Sequence, residues 1–565
     1  MSSLVTILRS PWWQAVLALP GFKNGLASMM TASLAINLTA MALPITLMQV
    51  YDRILANKST HTLIWLVFGC VVAILLEAAL RLARAHISGW QAARFEHKVG
   101  MQAIHQVVHC PLIDYERHGV GVHLERLEAV QTLRGFYAGQ IFQILLDLPF
   151  ALLFLATIAV LGGHLVWAPI LLLVTFLMLF INFRKNFNTF RSKQLEINDR
   201  RYNFLIETLA GIHLVKSLAF EEQMMRRYER LQNTAATTNM NVTLWSNLPI
   251  ALGSFVSQAM TFVVILAGGG AVMSGSMTLG TLTACSLLAG RALQPVQMAV
   301  GFWLRFSDAQ IAQGQVQKIF DMPRHTAPDS PPFPADIEGT IHLHELSFTF
   351  RPDTPPVLKD IELHVPARTM LGIRATSSSG ATTLSHLLMG LIRPTTGTVF
   401  IDDYNLEEWD HTQLRGRVEY LPQNGVLFPG TILENIALFD AKRLAAANDA
   451  ANLLGLNEMV ASLPQGYGTE VTSQSNTTLP MGLIQRIALA RCFVMRPRVV
   501  IFDKANAALD RDSAKVFLEF FTRLKGQCTL ILLTESPELL AMCDQTFELA
   551  QGSLRPLPME KDAHE

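Results

Sequence analysis

The sequence predicts two folds in one chain: an α-helical membrane domain of six spans, then a water-exposed α/β domain built on a parallel sheet. Three observations predict this. Composition is 50% hydrophobic and only 16% charged, with a mean hydropathy of +0.30, whereas an ordinary soluble domain carries about 25% charged residues. Apolar runs of the ~20 residues that cross a bilayer recur through the first 300 positions and then stop. Beyond a proline-rich break, short strand-like segments alternate with helix-like ones, the pattern of a parallel sheet covered by helices. A length of 565 residues is too great for a single core and agrees with the division.

The apolar runs lie near 26–48, 62–80, 141–162, 164–183, 248–273 and 278–300. The first is too long for a signal-peptide core, and no small-residue cleavage site follows it. Residues 1–24, with Trp12, Trp13 and Phe22, read as an interfacial helix before it. Basic residues gather after the second run (Arg81, Arg84, Arg94, Lys98) and after the fourth (Arg184, Lys185, Arg191, Lys193, Arg200, Arg201). The positive-inside rule therefore places these long connections and both termini in the cytosol. Each connection keeps a helical apolar period, and a ~30-residue helical arm reaches roughly 45 Å below the bilayer. Pro111, Gly119 and Gly121 interrupt the first arm at its tip, where a short exposed helix would dock on a cytosolic domain. Three charges fall inside spans. Glu77 and Asp147 lie near span ends, within reach of interfacial water, and Arg291 lies in the sixth span; intramembrane charges normally face a bundle interior.

The break itself, residues 321–338, is the linker. Lys+Arg and Asp+Glu balance at 45 each, which leaves no electrostatic footprint for nucleic acid. Six scattered cysteines without C-x-x-C spacing read as reduced packing residues rather than bridges or ligands. After the linker, "TMLGIRA" runs into "TSSSGATTL", a strand-to-helix turn of the kind that seats a phosphate on a helix N-terminus.

Here the chain resembles an ABC exporter half-transporter: a six-span helical membrane domain (25–320), a linker (321–338) and a cytosolic α/β P-loop-type nucleotide-binding domain (339–565). "PITLMQVYDRIL", "DLPFALLFL", "ETLAGIHLVKSL" and "GRALQPV" are similar to the permease/ATPase component of bacterial type I secretion systems. The lack of an added N-terminal peptidase-like domain resembles the subgroup that exports RTX-type proteins. The resemblance implies an inner-membrane location, ATP and magnesium as cofactors, and an exported polypeptide. Its implied partners are membrane lipid, a second half-transporter, a periplasmic adaptor and an outer-membrane channel.

The motor motifs depart from that family. Phe350, or Phe348 just before it, stands where an aromatic stacks on adenine. The phosphate loop should read G-x-x-x-x-G-K-[ST], but its first glycine is Ala375, a further glycine is Ser378 and the lysine is Ala381. Gly380, Thr382 and Thr383 remain. Losing one charge-assisted contact of ~1.5–3 kcal/mol weakens binding roughly ten- to a hundredfold. Gln423 is kept, with a family role at magnesium and the attacking water. The signature L-S-G-G-Q has become Leu479-Pro480-Met481-Gly482-Leu483, although "IQRIALAR" comes after it intact. Asp503 closes the Walker-B strand, but Lys504 replaces the catalytic glutamate and Glu535 the switch histidine. Asp510 of the D-loop is retained. The expected ligands are thus Phe350, Gly380, Thr382, Thr383, Gln423 and Asp503 for the nucleotide, with Thr382, Gln423 and Asp503 for magnesium. Binding is expected to be weak or absent, and no catalytic residue is assigned.

In the family the positions of Lys504 and Glu535 converge near the γ-phosphate. Two readings are open: an ion pair across an empty pocket, or a lysine that replaces the charge lost at Ala381. Because ABC sites are composite, a homodimer would hold two sites damaged on both faces, while pairing with an intact half would leave that partner's lysine, glutamate and histidine whole. The chain is expected to be the degenerate half of a protein or peptide exporter, or alternatively a non-transporting scaffold built on the same fold.

Overall fold

A computed structural model describes residues 22–136, 141–324, 336–376, 379–409, 414–472, 479–505 and 511–557, with positions 331, 333 and 334 of the linker. Most of the expected interfacial helix, residues 1–21, lies outside them, as do Ser378 and Asp510. The chain divides into two units, residues 1–108 with 119–322 and residues 109–118 with 323–565.

The first unit is all helix. It contains α1 (Phe22–Thr39), α2 (Ala42–Gln49), α3 (Thr60–Val108), α5 (Val120–Gly135), α6 (Ile141–Gly162), α7 (Trp167–Ala210), α8 (Ile212–Ser217), α9 (Glu221–Met273) and α10 (Leu279–Phe320); α4 (Leu112–Glu116), between α3 and α5 in sequence, falls in the second unit. Four stretches among the described residues are long and apolar enough to cross a membrane: Gly25–Asn57, Thr60–Val108, Gln143–Phe183 and Glu221–Met273. The third holds two of the expected spans, parted by a 3-10 turn at Gly163–Val166. The sixth expected span lies in α10, whose first half carries Arg291, Gln294 and Gln297 and is therefore less apolar. Glycine at 163, with φ +54°, supplies the left-handed residue on which the chain reverses.

The segment "QVYDRIL" has a structural reason in Asp52. A π-turn at Val50–Ile54 presents this carboxylate to the start of α10, where it accepts from the Gly280 N–H at 2.9 Å and the Thr278 hydroxyl at 2.6 Å. A carboxylate at a helix N-terminus satisfies orphan donors and complements the dipole. Residue 280 must be glycine there, since a Cβ would stand 2.5 Å from both Asp52 Oδ1 and the Met48 carbonyl.

The expectation for Asp147 is corrected. It is buried rather than facing interfacial water, paired with buried Arg84 at 2.9 Å and hydrogen-bonded by Asn37 at 3.2 Å, while Arg84 also donates to Ser33. Glu77 also has ionic partners: Arg81 at 2.7 Å and Arg291 at 3.9 Å. Removal of ions from water is tolerated only with such compensation, so the Asp147 network ties α1, α3 and α6 together.

The second unit contains two main sheets. The antiparallel one runs in the order β2-β1-β4-β5, from β1 (Ile341–Phe348), β2 (Leu358–Val365), β4 (Thr396–Ile401) and β5 (Tyr404–Asn405). The other runs β12-β11-β3-β10-β9-β6, using β3 (Met370–Ala375), β6 (Val418–Leu421), β9 (Val499–Asp503), β10 (Thr529–Thr534), β11 (Gln545–Ala550) and β12 (Ser553–Pro556); all neighbours are parallel except the β12 edge. A short ribbon pairs β7 (Gly430–Thr431) with β8 (Glu470–Val471). Strands β9 and β10 are buried at every residue, as expected for a sheet covered on both faces. The helices of this unit include α11 (Ala381–Leu388), α12 (Ile432–Ile436), α13 (Leu444–Leu453), α14 (Leu456–Ala461), α15 (Met481–Val494) and α16 (Arg511–Leu524). Within the expected linker, Phe333 and Ile337 are buried in this unit's core. Helix α4 belongs here: Leu112 and Ile113 pack on the same core. All six cysteines are free, and five are buried.

Candidate nucleotide site

Strand register assembles the site. Leu533 stands opposite Asp503 and Thr534 opposite Arg374, so the ends of β3, β10 and β9 lie side by side at one edge. Ligands of open α/β sheets sit at such carboxyl ends. Three of the departures, at Ala375, Lys504 and Glu535, fall at these neighbouring strand ends.

Gly380 precedes α11 at φ +95°, and a Cβ there would come within 2.9 Å of Leu358 Cδ2. Ala381 comes next, buried, where a lysine would project its ammonium. Thr383 is buried and Thr382 exposed. The Ser379 hydroxyl is buried without a hydrogen-bond partner among the described residues. Phe350 lies two residues past β1, 52% exposed, while Phe348 is enclosed in the core. Of the two candidates, Phe350 is the one exposed for stacking.

Asp503 is buried, and its Oδ2 accepts from the Tyr420 hydroxyl at 3.1 Å. Burial, and then the charge of Asp503, raise the Tyr420 pKa, so the phenol keeps its proton. His386 of α11 stands edge-on to Tyr420 at 5.9 Å. Burial lowers its pKa, partly offset by Glu116 of α4 and by Asp503. Nothing in the sequence pattern pointed to Tyr420 or His386.

The Lys504 ammonium meets Glu535 Oε1 at 2.8 Å, with the lysine side chain 15% exposed and the glutamate 57%. Lys504 adopts φ +49°, yet its N–H still donates to the Leu533 carbonyl at 2.9 Å. The two residues thus form an ion pair.

Gln423 is exposed, two residues past β6. Its carbonyl accepts from the fully buried Gln485 of α15. Arg491, further along that helix, donates to the Val426 and Asn435 carbonyls at 3.0 and 3.1 Å. The intact "IQRIALAR" segment thus has a structural role: it pins the chain after Gln423. Its tip differs. Pro480 caps α15 without a side-chain acceptor, and its carbonyl takes the N–H groups of Leu483 and Ile484. Met481, 41% exposed, stands where the family pattern has a glycine.

These residues fit a phosphate only through the backbone and hydroxyls around α11. They fit magnesium-assisted hydrolysis poorly: the loop has no cation at 381, Asp503 is engaged by Tyr420, and Lys504 brings positive charge where a base is required.

Residues 26–296 match the ABC transporter transmembrane region, and residues 358–507 match the ABC transporter family. The chain is 27% identical over 549 residues to the cyclolysin secretion/processing ATP-binding protein CyaB of Bordetella pertussis, covering 95% of this chain and 75% of that protein. It is 26% identical to the alpha-hemolysin translocation ATP-binding protein HlyB of Escherichia coli O157:H7, over 96% of this chain and 78% of that one. In fold it is similar to a bacterial Atm1-family ABC exporter with ATP bound, with a TM-score of 0.81, 20% identity and coverage of 94% and 95%.

Proposed function

Because the chain belongs to the ABC transporters and is an exporter of the type I secretion family, we propose that it is the catalytically degenerate half of a bacterial inner-membrane exporter, paired with an active ATPase half. The cargo in this reading is a protein or peptide, delivered to a periplasmic adaptor and an outer-membrane channel. The observation that carries it is the Lys504–Glu535 ion pair. It joins, as opposite charges, the two positions where the family places its base and its γ-phosphate sensor. Phosphoryl transfer depends on electrostatic stabilisation of developing charge, and this pair supplies none to a substrate. A second support is the tip of the second arm, where α8 and its flanks expose Leu214, Leu218 and Phe220, an apolar patch suited to a partner subunit.

In this reading any nucleotide is held by Phe350, Gly380, Thr382 and Thr383, and magnesium by Thr382, Gln423 and Asp503. In a mixed pair, the partner's own loop, base and histidine remain complete, so turnover belongs to that subunit. The test is ATP hydrolysis by the purified chain alone and after co-purification with a half-transporter. Turnover is expected only from the pair. Robust hydrolysis by the isolated chain would overturn the assignment.

A further inference from the structure

The strands that carry the nucleotide site at their carboxyl ends carry a second cavity at their amino ends. It has a volume of about 700 Å³ and is lined by residues of α13, α15 and α16 together with the segments that lead into β6, β9 and β10. Five residues of β9 at ~3.3 Å each set it roughly 15 Å from Asp503, so it is separate from the site above.

Its cationic rim arises from register. Val418 pairs with Val499, which brings the preceding residues, Arg417 and Arg498, side by side; the Arg498 N–H donates to the Arg417 carbonyl at 2.8 Å. Arg496 joins them. Adjacent like charges on paired strands are destabilising, yet among the described residues the only carboxylate lining the cavity is Asp449. None of the three guanidinium groups has an ion-pair partner among the described residues. The opposite wall is apolar: Ala446, Ala450 and Leu453 lie on one face of α13, and Phe520, with Phe493 edge-on to it at 4.6 Å, lies beneath.

A cavity of some 300–1,000 Å³ that sets an apolar wall against a few convergent polar groups has the form of a small-molecule site, and clustered guanidiniums select phosphate. We propose that this cavity binds a small molecule with an aromatic or apolar body and a phosphate monoester head. The head lies against Arg417 and Arg498, and the body lies on Phe493 and Phe520. The unbalanced rim charge is what the ligand neutralises.

The test uses the purified full chain and isothermal titration with 1-naphthyl phosphate, 1-naphthol and inorganic phosphate. The ester is expected to bind at least tenfold more tightly than either fragment, and more weakly as salt is raised. Arg417→Gln with Arg498→Gln should weaken it at least tenfold, Asp449→Asn should tighten it, and Thr383→Ala should leave it unchanged. The gain in affinity from Asp449→Asn keeps the outcome independent of any folding defect in the arginine variant. Competition by phosphatidic-acid vesicles would assign the head group to a lipid, and competition by the soluble ester alone to a cytosolic metabolite; both support the site. Equal binding of ester and naphthol, undiminished binding by the arginine variant, or loss of binding in Thr383→Ala would each overturn it. So would preferential binding of hexaglutamate over the ester, which would make the cavity a peptide groove.

Discussion

Lys504 and Glu535 exchange, at adjacent strand ends, the charges that hydrolysis requires, and each then satisfies the other at 2.8 Å. A pair with one partner more than half exposed is worth little, about 0.2–1 kcal/mol. Substituting Glu535→Lys replaces that attraction with repulsion beside a lysine only 15% exposed. The expected outcome is a loss of roughly 1–2 kcal/mol in chemical denaturation, recovered when Lys504→Glu is added. An unchanged midpoint in the single variant would leave the two residues as drift. Glu419, beside Tyr420 on β6, gives a pH signature. Burial raises its pKa to about 7 from 4.5, against the pull of Arg443 and Arg491. The folded chain therefore holds a proton that the unfolded chain has released between those values. Stability from this group is complete below about 4.5 and is lost as pH rises through 7. Glu419→Gln should flatten that decline by roughly 1–3 kcal/mol, read as the difference in denaturation midpoints between pH 5 and 8.

Among the elements, the helices and the buried strands were legible because periodicity and composition determine them directly. Pairings across the sequence were not. "QVYDRIL" stood out as a family likeness, but its role emerges only when a π-turn carries Asp52 to Gly280, 228 positions away. The same holds for "IQRIALAR", whose Gln485 and Arg491 hold the main chain of a loop some 60 residues earlier. Asp147 proved buried because its depth along α6 said nothing of Arg84 on another helix. Breaking one partner of such a buried pair costs about 3–5 kcal/mol, while replacing both by apolar groups is near neutral. Asp147→Ala should accordingly lower the thermal midpoint of the detergent-purified chain far more than Arg84→Met with Asp147→Leu. Equal losses from the two would remove the ion pair's claim to hold α3 against α6.

For the whole molecule, the substitutions act as a set. In the proposed pairing, the altered loop, base, switch and signature belong to different faces of a composite site, so repairing one face leaves the other broken. Ala381→Lys, Lys504→Glu and Glu535→His together should restore nucleotide binding, read by titration with ATP, but not turnover by the chain alone, because Pro480 and Met481 still cap the opposing face. Adding Pro480→Ser and Met481→Gly is the step expected to bring measurable phosphate release. Turnover from the first three changes alone would mean that the signature departure is harmless. The site's outline could be read from the sequence because motif spacing survives the loss of side chains. Tyr420 on Asp503 could not, since many residue types in a strand are compatible with the same apolar pattern.

The bond between Lys504 and Glu535 has one further effect, on timing. In the proposed pairing, an ammonium and a carboxylate already closed on each other leave these strand ends alike whether ATP or ADP is abundant, so starvation would reach the exporter through the active half.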